Sequence, residues 1–301
     1  MEAIGSKPQA GASREGAGQA SPHLTLPGAR TRRCLGCNHY MVIRKPWLWR
    51  CPSCAYLWST LPAGSGTGVV GLSSLRRRNF QILLDRVQPW LPREPPTVLE
   101  VGCATGIFLE AARERGLIPT GVEPDAANSK AARAKDLRVL QGAFPGTVPE
   151  GESFGAIFFN DSFEHLARPD EALRACRRSL APDGILVLNL PDSDGVLYRA
   201  ATVMDRLGVP GPLRRLWQIG FPSPHVSYFN RHNLRAMTTA QTSFTLVHET
   251  HLRTISASGL RERIRSSVSE PAATMAYLAC LAFIPAQSLL PADILVQVYR
   301  G

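Results

Sequence analysis

The stretch VLEVGCATGIF, residues 98–108, runs four residues of β-forming character into a turn with two glycines and then into an apolar, helix-compatible segment. Val98 to Val101 reads as a short buried strand and Gly102-Cys103-Ala104-Thr105-Gly106 as the turn. IFLEAARERG then reads as a helix stopped by Gly116 at its C′ position. Such a turn lets backbone approach a ligand closely, and the helix start offers unpaired N–H groups to an anionic group such as a carboxylate. A nucleotide-type ligand is implied. A dinucleotide fingerprint would need glycines where Ala104 and Ile107 stand, which weakens a nicotinamide reading.

A second acid follows on schedule. PTGVEPD, residues 119–125, reads as a strand ending in Glu123, about twenty residues after the turn, where a carboxylate can accept both hydroxyls of a ribose. The ordered pair of glycine turn and acid is more specific than either part.

The 301 residues suffice for one sizeable α/β domain and a small accessory module. Residues 1–30, rich in Gly, Ala, Ser and Pro, read as a flexible tail with no apolar segment of the signal-peptide kind. Residues 31–60 form the cysteine module, 61–96 a linker and N-terminal helix, and 97–301 the α/β domain, with a helical insertion at about 252–291. The net charge of +10 is uneven: residues 98–194 carry ten basic and fifteen acidic side chains, so the basic surplus flanks an acidic middle. Scattered arginine of this kind reads as solvated surface before it reads as a nucleic-acid footprint.

CLGCNHYMVIRKPWLWRCPSC places Cys34, Cys37, Cys51 and Cys54 in a C-x2-C-x13-C-x2-C spacing. Each CxxC turn points two thiolates at one place, and the intervening hairpin brings the pairs together, which is the pattern of a zinc ribbon. Four thiolates leave no open coordination position, so the Zn2+ is expected to be structural. Trp47, Trp49, Tyr56 and Trp58 are expected to pack this module, its core separate from that of the α/β domain. The same aromatics beside basic residues could instead stack on RNA bases. Cysteines used this way suit a reducing compartment, and the expected location is cytoplasmic.

VLEVGCATG, GVEPD and FGAIFFNDSFEHLARPDEALRACRRSLAPDGILVLNLP together resemble the class I S-adenosylmethionine-dependent methyltransferases, and within them the small-molecule enzymes that often carry an N-terminal CxxC…CxxC module. The likeness spans about residues 34–233. It implies an α/β fold: a seven-stranded, doubly wound, Rossmann-like sheet with a reversed final strand, here DILVQVYR. It also implies cofactor contacts. Glu100, Gly102, Cys103, Ala104 and Gly106 would meet the methionine moiety and Glu123 the ribose; Ala143 and Phe144 would lie near the adenine, and Asn160 would face the methyl donor. Ala104 stands where a middle glycine is commoner, a replacement the family tolerates.

Methyl transfer from a sulfonium is an in-line displacement, so orientation and exclusion of water matter, and a base can take the acceptor proton. Asp161, Glu164 and His165 follow Asn160 in a D-x-x-E-H order that would share one face of a helical turn. The order resembles the E-x-x-E-H set of ubiquinone-biosynthesis O-methyltransferases, which binds a divalent ion near a phenolic acceptor, so Mg2+ or another divalent ion is a candidate here. His165 could instead pack and cap the following helix. His225, in the Pro-rich GFPSPHVSYFN, is the second base candidate. His165 is favoured, because neighbouring carboxylates would orient it and raise its basicity, whereas His225 has only its loop position. His232, His248 and His251 have no comparable context.

AATMAYLACLAFIPAQSLL, residues 272–290, has no charged residue, yet Pro285 interrupts it and a core strand follows at once, so a membrane span is untenable. It reads as helices covering the acceptor pocket, with a helical pair that only packs on the core, or shallow membrane contact, as the alternatives. The expected activity is methyl transfer from S-adenosylmethionine to a small organic acceptor, with oxygen the favoured atom. The rivals are an RNA base methyltransferase that uses the ribbon to bind RNA, and a catalytically silent scaffold. NDSF stands where amino-methylating enzymes carry N/D-P-P-aromatic, which counts against the RNA enzyme, and the presence of both Glu100 and Glu123 counts against the scaffold.

Overall fold

The structure is a computed structural model that describes residues 31–64, 73–92, 96–252, 260–265, 269–286 and 290–301. The expected tail and parts of the linker and of the insertion lie outside the described residues. Three short strands come first, β1 (Val42–Lys45), β2 (Leu48–Arg50) and β3 (Leu57–Ser59), then α1 (Ser73–Val87). Strand and helix alternate through β4 (Thr97–Val101), α2 (Ile107–Glu114), β5 (Ile118–Glu123), α3 (Ala126–Arg133), β6 (Arg138–Gln141), β7 (Phe154–Asn160), α4 (Pro169–Ser179) and β8 (Leu180–Pro191). The remainder comprises α5 (Val196–Arg206), α6 (Gly211–Leu216), β9 (Ser227–Tyr228), α7 (Arg231–Thr242), β10 (Thr245–Leu252), α8 (Leu260–Arg265), α9 (Ala272–Ala286) and β11 (Ile294–Arg300).

The main sheet has the order β10-β11-β8-β7-β4-β5-β6. Strands β4 to β8 run parallel, while β11 lies antiparallel to both β8 and β10, which is the reversed strand that DILVQVYR was expected to supply. A strand covered by helices on both faces must be apolar at successive positions rather than at alternate ones. FGAIFFN obeys this, since all seven residues of β7 are buried. Ile157 and Phe159 enter one core and Ala156 and Phe158 the other, as the two-residue period of a strand requires. Because the chain leaves β4 for β5 on one side and β7 lies on the other, the carboxyl ends of β4, β5 and β7 open onto a crevice at this reversal of strand order, where ligands of open α/β sheets bind.

The cysteine module does not have a core of its own. Strands β1, β2 and β3 form a second sheet whose fourth member is β9, with Leu57 opposite Tyr228 and Trp58 opposite Ser227. Cys34, Met41, Trp49, Cys51 and Tyr56 belong to the same buried cluster as Leu99, Phe159, Phe163 and Phe229. The expected separation of cores is therefore corrected: a module this small buries too little apolar surface alone and completes its core against the larger domain. Trp49 and Tyr56, 7% and 0% exposed, are spent on that packing and are not presented for stacking on RNA bases.

The insertion between β10 and β11 contains α8 and α9. Among the described residues no helix is long and apolar enough to cross a membrane. Among the described residues the insertion contributes none to the cavity below, and the rest of the expected cover lies outside the described residues.

Candidate active site

A cavity of about 670 Å³ lies at the carboxyl ends of β4, β5 and β7, a size usual for small-molecule sites. Its inner wall is the glycine turn. Gly102 (φ +78°), Ala104 (φ +46°) and Gly106 (φ +80°) all take left-handed backbone. At two of them a side chain has no room: a Cβ on Gly102 would lie 2.8 Å from the Ser162 Cβ, and one on Gly106 2.5 Å from Leu137 Cδ1. The helix α2 that follows carries no side-chain cap, so its first N–H groups remain for a ligand.

Two buried carboxylates face this turn. Glu123 accepts the Ala104 N–H at 2.8 Å and the Asp125 N–H at 2.9 Å, which locks the end of β5 to the turn. Burial pushes its pKa up. Glu100, 2% exposed, accepts the Asn160 Nδ2–H at 2.9 Å through Oε1, and its Oε2 has no hydrogen-bond partner among the described residues. Burial raises the Glu100 pKa to about 8, against the opposing bond from Asn160. Asn160 Oδ1 in turn accepts from Asn189 Nδ2 at 3.2 Å, so three polar side chains at the ends of β4, β7 and β8 form one chain. An acceptor atom left unpaired at this depth is costly unless a donor arrives with a ligand. The ammonium of a methionine moiety is such a donor, and the residues present fit S-adenosylmethionine on that ground. Ala143 and Phe144 line the same cavity.

At the other end stand Glu164, His165 and His225. Residues 163–165 form a 3-10 turn after Asn160, and His225 descends from the loop before β9. The two imidazoles meet edge to face with centroids 4.7 Å apart. Their Nε2 atoms lie 4.0 Å (His165) and 3.9 Å (His225) from Glu164 Oε1, beyond hydrogen-bond range, and neither Glu164 oxygen has a hydrogen-bond partner among the described residues. Burial raises the Glu164 pKa well above the ordinary carboxylate value, with Asp161 adding to it. Burial lowers the pKa of His165 and, more strongly, of His225, where His165 contributes further. The cluster thus sets a carboxyl that holds its proton more tightly than usual beside two imidazoles that resist taking one up. His165 Nδ1 lies 3.0 Å from the Pro224 carbonyl, which can only accept, so the proton sits on Nδ1 and Nε2 keeps its lone pair.

These positions correct several expectations. His225 is not a bare loop residue: its N–H donates to the Trp217 carbonyl at 3.2 Å and its Nε2 lies 2.9 Å from Gln218 Nε2. The basicity of His165 is lowered, because desolvation outweighs the bond to the Pro224 carbonyl, and His165 does not cap α4, whose N-cap is Arg168 without a side-chain bond. Asp161, at φ +50°, lies outside the close group of Glu164, His165 and His225 and lines the cavity, where burial raises its pKa against the charge of Arg76. Glu164, His165 and His225 bring their ligand atoms within 4.8 Å of one another, and two imidazoles with one carboxylate suit a divalent transition ion better than the oxygen-preferring Mg2+. The sequence reading missed Arg76 and Phe80 of α1, Ser162, Gln218 and Ser223 on the cavity wall. Ser162, whose hydroxyl donates to the Val101 carbonyl at 2.6 Å, was reachable as the residue after Asn160-Asp161; the others carried no local signal.

The four cysteines of the ribbon converge. Sγ of Cys34 and Cys54 are 3.5 Å apart, those of Cys37 and Cys51 3.4 Å, and all four lie within 4.8 Å of one another. A tetrahedral zinc with Zn–S bonds of about 2.3 Å would space its sulfurs at about 3.8 Å, so the set fits Zn2+.

Residues 73–249 match the family model described as a methyltransferase domain. The chain belongs to this family, of the class I S-adenosylmethionine-dependent kind. It is similar to the ubiquinone biosynthesis O-methyltransferases of Histophilus somni (33% identity over 30% of this chain and 42% of that one) and Pseudomonas paraeruginosa (30% identity over 36% and 49%). The chain thus spans less than half the length of these relatives. In fold it is similar to the cyclopropane synthase MmaA2 of Mycobacterium tuberculosis, with a TM-score of 0.53 at 16% identity over 80% of this chain and 89% of the other. It is also similar to the PH0226 protein of Pyrococcus horikoshii, with a TM-score of 0.51 at 14% identity over 80% and 96%.

Proposed function

We propose that the protein transfers a methyl group from S-adenosylmethionine to a hydroxyl oxygen of a small organic acceptor. The observation that carries this reading is the single cavity in which the glycine turn, Glu100 and Glu123 face one end and Glu164, His165 and His225 the other. The likeness to ubiquinone biosynthesis O-methyltransferases supports oxygen as the acceptor atom.

When bound, the cofactor supplies an electrophilic methyl group. The protein's part is to hold both reactants and the proton. The left-handed turn and the start of α2 receive the methionine carboxylate, Glu100 Oε2 its ammonium, and Glu123 the ribose hydroxyls, in competition with the N–H groups it now accepts. Ala143 and Phe144 flank the adenine, and Asn160 stands beside the reacting centre. His165 takes the hydroxyl proton at Nε2, because its other nitrogen is engaged by Pro224 and its pKa keeps it neutral at pH 7. The rate of such a step is typically worth about 10²–10⁴-fold. Glu164 and His225 shape the pocket around that nitrogen. Zinc in the ribbon has a structural part.

The test is an extract incubated with the full chain and methyl-labelled S-adenosylmethionine, then separated into small-molecule and RNA fractions. Label in small molecules, abolished by His165→Ala with cofactor affinity retained, is the expected result. Label confined to RNA would overturn the reading.

A further inference from the structure

Ser59 closes β3, fully buried. Its N–H donates to the Val226 carbonyl at 2.8 Å and its hydroxyl to the His225 carbonyl at 2.9 Å. The same strand pairs with β9 immediately beyond, and the Tyr56 hydroxyl lies 2.6 Å from Ser227 Oγ. Asn233 Nδ2 donates to the carbonyl of the zinc-ribbon residue Cys54 at 3.1 Å. On the far side Trp47 packs edge-on against Trp217, whose carbonyl accepts the His225 N–H. The other histidine is reached too: the Ser223 hydroxyl donates to the Gly64 carbonyl at 3.1 Å and lies 3.1 Å from His165 Nδ1. The His165 imidazole is therefore tied to Gly64 through Ser223, and the backbone of His225 to Ser59 through its carbonyl.

Without the cross-link that four thiolates and a metal supply, the β2–β3 hairpin keeps only its packing on the larger domain to hold its register. A shift of that register takes the partner strand from β9 and the donor from the His225 carbonyl. We propose that the cysteine module is a strut of the acceptor end of the cavity: metal held by Cys34, Cys37, Cys51 and Cys54 fixes the placement of His225, and Ser59 is the positioning residue that transmits it. The meaning of His225 for catalysis rests on the proposed function; the coupling itself does not.

The experiment uses the full chain with labelled histidine and follows ring resonances by NMR together with hydrogen exchange over residues 225–229. It compares protein with its zinc, protein from which zinc has been extracted, and Ser59→Ala, which keeps all four thiols. Ser59→Ala is expected to keep its zinc and cofactor affinity. It should shift the His225 resonance while His248 and His251, on β10, stay in place, and should speed exchange over 225–229 about five- to tenfold, the worth of one buried hydrogen bond. Zinc extraction should produce a larger change in the same signals. An unmoved His225 resonance with unchanged exchange in Ser59→Ala, or in the extracted protein, would overturn the strut. Failure to find methyl transfer would leave these signals as they are, so the two readings fail separately.

Discussion

Replacing Glu100 by Gln tests the cofactor end of the site through a proton rather than through activity. With its pKa raised to about 8 by burial, roughly nine in ten molecules carry the Glu100 proton at pH 7. A cationic ammonium arriving at the unpaired Oε2 favours the ionised form, so binding of S-adenosylmethionine should release close to one proton at pH 7 and few above pH 9. Calorimetry in buffers of different ionisation enthalpy counts that proton directly. Glu100→Gln should abolish the release and, by removing a charged hydrogen bond, cost about 1.5–3 kcal/mol of affinity, roughly ten- to a hundredfold or more. The linkage has a second consequence for the ligand-free protein. A carboxyl whose folded pKa lies above its unfolded value of 4.5 stabilises the fold fully below that value, and the benefit is lost as pH rises towards 8. Glu100→Gln should therefore remove this fall in stability between pH 5 and 8. Binding without proton release in the wild type, or equal affinity in the variant, would refute the assignment.

Gly106→Ala puts a Cβ 2.5 Å from Leu137 Cδ1 at φ +80°, whereas Gly116→Ala at φ +77° meets nothing within 4 Å; denaturant melts should show the first losing clearly more than the roughly 1 kcal/mol of backbone strain expected of the second. His225, with a folded pKa well below 6.5, should make stability fall as pH drops below 6.5, since the unfolded chain takes up a proton that the fold refuses; urea melts at pH 7 and 5.5 should lose that part of the difference in His225→Gln. Cys51→Ser should lower zinc by elemental analysis and weaken cofactor binding as well, because Cys51 shares its cluster with Leu99 and Phe159; unchanged cofactor affinity would show the two parts to be independent.

The sheet, the glycine turn and the acids at the ends of β4 and β5 were legible because each is written in consecutive residues: an apolar run, a turn that only small residues can make, a carboxylate at a strand end. The four thiols were legible for the same reason. The partnership of β3 with β9 was not, since it joins residues about 170 positions apart in sequence through strands of three and two residues, too short to show any period. That partnership brings His225 onto His165 and consumes the aromatics that looked free for RNA. The titration of the histidines was misjudged for a related reason: sequence shows the neighbouring carboxylate Glu164 but not the burial that raises its pKa and lowers those of both imidazoles. Arg76 and Gln218 reach the cavity only because α1 and the turn after α6 fold over it, a fact of tertiary packing.

The central claim is that one cavity holds the cofactor with its reactive end towards the two histidines. A crystal structure of the full chain with S-adenosylhomocysteine tests it directly. The account predicts the amino-acid part of the ligand at the Gly102–Gly106 turn and Glu100, the ribose hydroxyls at Glu123, and the sulfur directed at the space before His165 Nε2. A ligand bound in this turn with its sulfur facing away from Glu164, His165 and His225, or bound elsewhere, would contradict it.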